Sequence, residues 1–404
     1  MIKLTSEMSK RTPNSYFYIK GQKTEKFLHD LAVKTFLTDW CYLNPKLPDG
    51  KELCDLLVVF DEIAIIWQIK NLKIHKDGRY KKSEVEKNLR QLLGARRELF
   101  ELKSPIKLVN PRRGEEQFDP TLIKEVYLLS VLFGRGEDMF SFAETLKNNI
   151  IHVLNKKITT VLLKELDTIS DFILYFKAKE ELFQKGKELI IFGGEEELLA
   201  YYLMSNRTFA KLEQSDNVLI TEGSWGHLQS KPEYKAKKKA DEVSYGWDSI
   251  INRAHEGSFK YEVVARELAR PNRFQRRYLS KVFLDAHIRS HNDKEKDLFR
   301  RMLSFEGVTY CFLFQDDPEP RKKRRAMLGT ICLIARGRFL ENHKVLGIAT
   351  EKKLRPKCSY DFCLLDFPVW SKKNQEIVEE LQKETGIFVN PEIGRVKEDE
   401  YPKN

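Results

Sequence analysis

Little in the chain would tie it to a membrane or to an oxidising compartment. Across 404 residues no apolar run reaches the ~18 residues of a membrane span. The opening stretch, MIKLTSEMSKRTPNS, has no apolar core of the kind a signal peptide needs. Six cysteines, at 41, 54, 311, 332, 358 and 363, are scattered without CxxC spacing, which argues against a zinc or redox site. Free thiols in a reducing cytoplasm are the expectation. No internal repeat or low-complexity tract occurs either. What is present suits a folded protein, with 41% hydrophobic and 11% aromatic residues and length enough for two domains. The formal net charge of +11 fits a polyanionic partner, and fits simple solubility equally well.

The most informative stretch runs from Glu52 to Lys70, ELCDLLVVFDEIAIIWQIK. Two apolar runs, Leu53 to Phe60 and Ile63 to Ile69, flank the acidic pair Asp61-Glu62. Their Val, Ile, Phe and Trp content favours strands, and the charged break between equal runs predicts a hairpin. If the hairpin is symmetric about that pair, Phe60 faces Ile63 and Asp55 falls opposite Gln68. Opposed residues share a face, and the two-residue repeat puts Lys70 on the same one. A carboxylate, an amide and an ammonium thus converge on an otherwise apolar surface. Both faces are mostly apolar, which predicts a covered sheet. Burying an Asp and a Lys there is costly unless they are paired or bind a metal.

An Asp on one strand, then (Asp/Glu/Gln)-x-Lys on the next, after a helix bearing a Glu, resembles the PD-(D/E)xK nucleases of the restriction-endonuclease-like superfamily. Here the pieces are Glu25, Asp55 and Gln68-Ile69-Lys70, and the resemblance covers the first third to half of the chain. Cys54 stands where the motif has Pro, and Gln68 where Asp or Glu is commoner, as in the Mrr-like branch. The resemblance implies an αβββαβ core and magnesium- or manganese-dependent hydrolysis of DNA phosphodiesters, double-stranded DNA before single-stranded. It also implies a role in bacterial restriction or antiphage defence. Asp55, Gln68, the Ile69 carbonyl and Glu25 would be the metal ligands, with Lys70 orienting the attacking water and stabilising developing charge. Gln68 contributes no negative charge, so metal affinity is expected to be weak. An inactive nucleic-acid-binding or assembly module on the same fold, and an RNA-cleaving enzyme, are the alternatives. A homo-oligomer or an activating partner protein fits each.

Around this stretch the expected architecture is α/β. Gly21 to Trp40 has helical apolar spacing, with Thr24 as N-cap and Glu25 in the first turn, where an acid also complements the helix dipole. Cys41 to Leu43 is an expected short strand. Asn71 to Lys82 reads as a basic loop whose Lys73 and Arg79 either touch phosphates or are simply solvated. Ser83, with Glu86 completing a capping box, opens a helix to about Leu102, from which Gln91 and Arg96 are candidates to approach the site. Pro105 to Pro120 reads as a loop, Glu125 to Phe133 and Ile150 to Leu154 as strands, and Leu162 to Phe183 as one helix. A boundary near 185 divides a nuclease-like domain, 1–185, from an α/β or α+β domain, 186–404, for sensing, nucleic-acid binding or oligomerisation.

In the second half, Gly193-Gly194 before Glu195-Glu196-Glu197 predicts a turn and an acidic helix start, since three acids would repel phosphate. Ser224 to Lys239, ending in PEYKAKKK, reads as a solvated loop or a nucleic-acid contact, and Trp225 and Trp247 as packing residues or base-stacking ones. Arg273, Arg276, Arg277 and Lys281 recur at helical spacing and predict a basic, phosphate-binding helix face. Arg321 to Arg338 is a helix opened by RKKRR, basic residues that oppose the macrodipole by up to ~1 kcal/mol together. A bound phosphate, solvent screening or a nuclear-targeting role are the readings of that run.

Overall fold

The computed structural model describes residues 26–72, 81–101, 106–134, 142–185, 188–214, 217–257, 261–294, 298–315, 321–355 and 358–402. The fold is mixed α/β, in two compact units, Met1–Gln229 and Ser230–Asn404. Among the described residues no helix is long and apolar enough to cross a membrane. All six cysteines are free thiols.

The first unit is built on a six-stranded sheet. Helix α1, described over 26–36, leads to β1 (Cys41–Leu43), β2 (Leu56–Phe60) and β3 (Ile63–Asn71). Then follow α2 (Lys82–Glu101), the hairpin β4 (Ile106–Asn110) and β5 (Gly114–Phe118), and β6 (Glu125–Phe133). β7 (Ala143–Leu146) and β8 (Asn149–Asn155) complete the sheet, in the order β1-β2-β3-β6-β8-β7. β1, β2 and β3 run antiparallel in turn, while β3, β6 and β8 are parallel. Crossover through α2 is what makes the β3–β6 pair parallel.

β3 is central and covered on both faces. On one, α2 lays Leu89, Leu92, Ala95 and Leu99 over Ala64, Ile66 and Leu57. On the other, Trp67 lies 6.3 Å from the Phe36 ring of α1 and 5.7 Å from that of Phe172. Trp67 is fully buried, and truncating such a side chain to Ala costs about 3–5 kcal/mol. Two-sided burial explains why β3 reads as a continuous apolar run broken only by Gln68 and Lys70.

Several expectations change in contact with tertiary structure. Within the stretch expected as a loop, IKLVN (Ile106–Asn110) alternates buried and exposed and pairs with GEEQF as β4–β5. The helix expected from Leu162 to Phe183 is two, α3 (Lys156–Glu165) and α4 (Ile169–Gln184). The break falls where Thr168 caps α4 by accepting from the Asp171 N–H. Beyond 185, β9 (Glu188–Ile191), α5 (Glu195–Met204) and β10 (Asn217–Ile220) form a small parallel β-α-β piece. It stays with the first unit because the first turn of α5 is buried there. Glu195 accepts from Lys179 at 2.6 Å and from Tyr175 at 3.0 Å, Glu196 pairs with Lys157, and Glu197 accepts the Trp225 N–H at 2.8 Å. The first unit extends past the expected boundary near 185, to Gln229.

α6 (Ser224–Ser230) and α7 (Pro232–Asp241) replace the expected solvated loop, with Pro232 at the first helical position. The second unit continues with α8 (Tyr245–Gly257), α9 (Glu262–Ala269) and α10 (Arg273–Asn292). Its sheet takes β11 (Leu298–Phe305), β12 (Val308–Gln315), β13 (Lys344–Thr350) and β14 (Asp361–Asp366) in that order. Helix α11 (Arg321–Arg338) crosses from β12 to the parallel β13, and α12 (Lys372–Thr385) packs on α11. Gly347 in β13 is required by close approach: a Cβ there would meet Cys332 Sγ at 2.4 Å.

Candidate functional site at the end of β3

The hairpin pairs from Phe60–Ile63 to Leu56–Trp67, the register expected from its symmetry. Asp61 takes a positive φ of 50° at the turn, a conformation Asp tolerates better than most side chains. At Asp55 the ladder departs by one residue. Its N–H donates to the Trp67 carbonyl at 3.2 Å, and the chain bends. Such an irregularity re-aims a side chain. The Asp55 carboxylate thereby takes a place in the ladder: Oδ2 accepts from Gln68 Nε2 at 2.8 Å and from the Ile69 N–H. Asp55 is 7% exposed, so these bonds satisfy a carboxylate largely withdrawn from water. Lys70, two residues beyond Gln68, shares that face and is half-buried. It forms no ion pair among the described residues.

Two residues that sequence reasoning missed complete the arrangement. Asn88, fully buried on α2, donates through Nδ2 to Ser130 Oγ at 2.8 Å and to the Gln68 carbonyl at 3.4 Å. Ser130 sits on β6 opposite Gln68. Asn88 Oδ1 has no hydrogen-bond partner among the described residues. A legible signal existed: Ser130 is the polar interruption in the apolar strand EVYLLSVLF. Gln91 and Arg96 are the helix residues expected near the site. Gln91 is exposed, and Arg96 lies over the Phe100 ring of its own helix at 5.7 Å.

Glu25, Lys73 and Arg79 lie outside the described residues. α1 nonetheless begins at the right end of the sheet, because the Phe27 ring meets Phe133, the last residue of β6, at 6.5 Å. The expected basic face of α10 is corrected outright. Arg273 and Arg276 are each 2% exposed and bind Asp248 at 2.8 and 2.7 Å, while Arg277 is fully buried on Asp241 at 3.1 Å. Arg277 also donates to the carbonyls of Asp399 and Glu400, and Lys281 pairs with Glu398 at 2.6 Å. The helical spacing of the three arginines marks an ion-paired interior, not a phosphate surface, while Lys281 stays exposed beside Glu398. Trp247 likewise packs, fully buried, with Nε1 donating to the Leu268 carbonyl at 2.9 Å.

A metal ion at the Asp55 end would find oxygen donors only: the carboxylate, the Gln68 amide oxygen and the Ile69 carbonyl. That hard, sparse set fits magnesium, which keeps several waters of its own. Among the described residues no group of three or more His, Cys, Asp or Glu is placed to hold a metal. No family model matches the chain, and neither the curated proteins nor the solved structures give a match.

Proposed function

We propose that the first unit is a metal-dependent nuclease that hydrolyses nucleic-acid phosphodiester bonds, those of DNA in the first instance, at the Asp55–Gln68–Lys70 strand end. The observation that carries this reading is the buried Asp55 carboxylate held by Gln68 at 2.8 Å and by the Ile69 N–H, with Lys70 on the same face. A covered sheet has no structural need for that group of polar residues, since apolar side chains of similar size would pack there at lower cost. The element order around it, one helix, three antiparallel strands, a crossover helix and a parallel strand, with the β4–β5 hairpin inserted after the helix, supports the αβββαβ core that the motif resemblance implies.

Asp55, Gln68 and the Ile69 carbonyl, together with Glu25, would hold magnesium or manganese. A bound divalent ion supplies a water of lowered pKa and a Lewis acid at phosphorus. The chain's own contribution is positional and electrostatic. Asp55 is fixed by two donors, so its geometry costs no reorganisation during reaction. Lys70, with no carboxylate to neutralise it among the described residues, orients the attacking water and stabilises charge on the phosphoryl oxygens. Asn88 and Ser130 tie α2 and β6 to the Gln68 main chain and keep β3 from shifting beneath the site. A role in restriction or antiphage defence belongs to the same proposal and rests on the motif resemblance.

Supercoiled plasmid incubated with magnesium or manganese tests it. Wild type should nick or linearise the plasmid, saturating with magnesium in the millimolar range, and Lys70→Ala should not cut. Equal binding of DNA by both proteins with no cleavage by either would favour a binding module instead. A parallel single-stranded RNA substrate separates the two nucleic acids.

A further inference from the structure

We propose that the strand-end face of the first unit grips the phosphodiester backbone of the substrate, through Lys81 and Lys82 on one side of the sheet and Lys156 on the other. This rests on the reading above and places the substrate on that site. β3, β6 and β8 are parallel, and Lys70, Leu132 and Asn155 lie in one register line near their carboxyl ends. The helices that follow β3 and β8 both open there on a lysine pair, Lys81-Lys82 before and in α2, and Lys156-Lys157 in α3. α2 covers the Asp55–Gln68 face. α3 lies on the opposite face, where Thr35 of α1 donates to its Leu163 carbonyl at 2.9 Å.

Cations in a first helical turn face the positive end of the macrodipole, so each pair is locally unfavourable. For Lys157 the structure provides an internal answer, Glu196. Lys156 has none: it is exposed, its ammonium stands 5.2 Å over the Phe27 ring and 5.9 Å over that of Phe133, and no carboxylate among the described residues pairs with it. Lys81 and Lys82 are exposed and equally without an ion pair among the described residues, with Glu84 the acid of that turn. The β1–β2 loop, at this same end, keeps Lys51 on its own Asp49 at 2.7 Å.

At the opposite end of the sheet two lysines are matched, while Lys147 of the β7–β8 turn is exposed and has no ion pair among the described residues. Lys124 pairs with Glu62 of the hairpin turn at 2.6 Å, and Lys177 with Glu125 at the start of β6 at 3.5 Å. Three unmatched lysines, Lys81, Lys82 and Lys156, thus stand at the end that carries Asp55 and Lys70, on both faces of the sheet, against Lys147 alone among the lysines named at the other end. Discrete cations spread across a strand end fit a linear polyanion with repeating charge, the backbone of a nucleic acid. Phe27, 38% exposed beside Lys156, adds an apolar surface that a base can cover.

The test is binding of a short labelled DNA duplex to the full chain in chelator, so that cleavage does not interfere, over a range of salt. Lys81→Glu/Lys82→Glu/Lys156→Glu should weaken binding at least about tenfold and make the salt dependence shallower by roughly one phosphate per lysine. Lys124→Glu, a matched lysine at the opposite end, should stay within about twofold of wild type. The triple Gln variant should show a smaller loss in the same direction, and its melting curve, matched to wild type, excludes misfolding as the cause. Single-stranded RNA run beside the duplex separates the two sources of the same backbone. Equal losses in the triple variant and Lys124→Glu, unchanged binding in the triple variant, or no binding of either probe by wild type would each overturn the proposal. Lysine-dependent binding of a plasmid that is never cut would leave this surface standing and remove the catalytic reading. Cleavage without lysine dependence would do the reverse.

Discussion

The hairpins β2–β3 and β11–β12 are built alike and carry different chemistry. Each turns over two residues, Asp61-Glu62 between Phe60 and Ile63, and Glu306-Gly307 between Phe305 and Val308. Each second strand then pairs in parallel with a strand reached through a crossover helix, α2 to β6 and α11 to β13. Counting outward from the two turns, Asp55, Gln68 and Lys70 of the first unit correspond to Arg300, Leu313 and Gln315 of the second. The second hairpin thus lacks both the carboxylate and the ammonium. Its unit places charge elsewhere: Arg321, Arg324 and Arg325, on α11, converge on Asp361, which is fully buried at the start of β14. One topology can carry a reactive-looking strand end or a structural ion cluster, and the side chains at a few register positions decide which.

The largest expected effect that would sharpen this contrast is on cleavage. Asp55→Ala should lower the plasmid-cutting rate by roughly a thousandfold or more, on the order of the loss from removing one preorganised electrostatic group. Arg300→Ala, at the matching position of β11, should leave the rate unchanged. Equal rates for wild type and Asp55→Ala would break the distinction between the hairpins.

Next comes stability. Asp361→Ala leaves Arg324, 1% exposed, without its main counter-charge, and breaking a buried pair from one side costs about 3–5 kcal/mol. Urea unfolding read in the second unit should show that loss. A change below about 1 kcal/mol would mean the arginines hold one another's charge by other means.

The smallest effect concerns pH, where two carboxylates titrate in opposite directions. Burial pushes Asp361 upward, but hydrogen bonds from Arg325, Arg321 and Arg324 outweigh it and hold its carboxyl below the usual range. Its contribution to stability is present at neutral pH and is lost as pH falls through that lowered value. In the first unit, burial raises Glu180 to about 7, with Lys179 pulling down and Glu125 pushing up. It sits 2.9 Å from His152, which burial keeps well below its ordinary value and therefore neutral. The folded chain holds a proton on Glu180 that the unfolded chain has released, so this group's stabilisation fades as pH rises from about 4.5 to about 7. Glu180→Gln should flatten that part of the stability profile of the first unit. An unaltered slope would show that another group sets it.

The hairpin was legible because its evidence is local. Alternation, two equal apolar runs and a charged break specify register wherever both faces are covered. The meeting of Asp55 with Gln68 followed from counting, and Glu125–Phe133 and Arg321–Arg338 stand at the bounds their patterns predict. Asn88 was hidden because its spacing on α2 is that of a core residue, and only the β6 register brings Ser130 beneath it. The arginines of α10 misled for a related reason. Helical spacing reports that they share a face, whereas burial depends on Asp248, Asp241 and the segment at 398–400 packing against that face.

By itself the sequence determined the strands and helices whose apolar period is strong, and with them the polar trio on the central hairpin. Tertiary structure alone decided which charges are spent inside. Glu195, Glu196, Arg277 and Arg324 are neutralised by partners distant in sequence, while Lys81, Lys82 and Lys156 are left facing solvent. The reason is physical: periodicity is a property of one segment, but the cost of a charge is set by whatever packs against it.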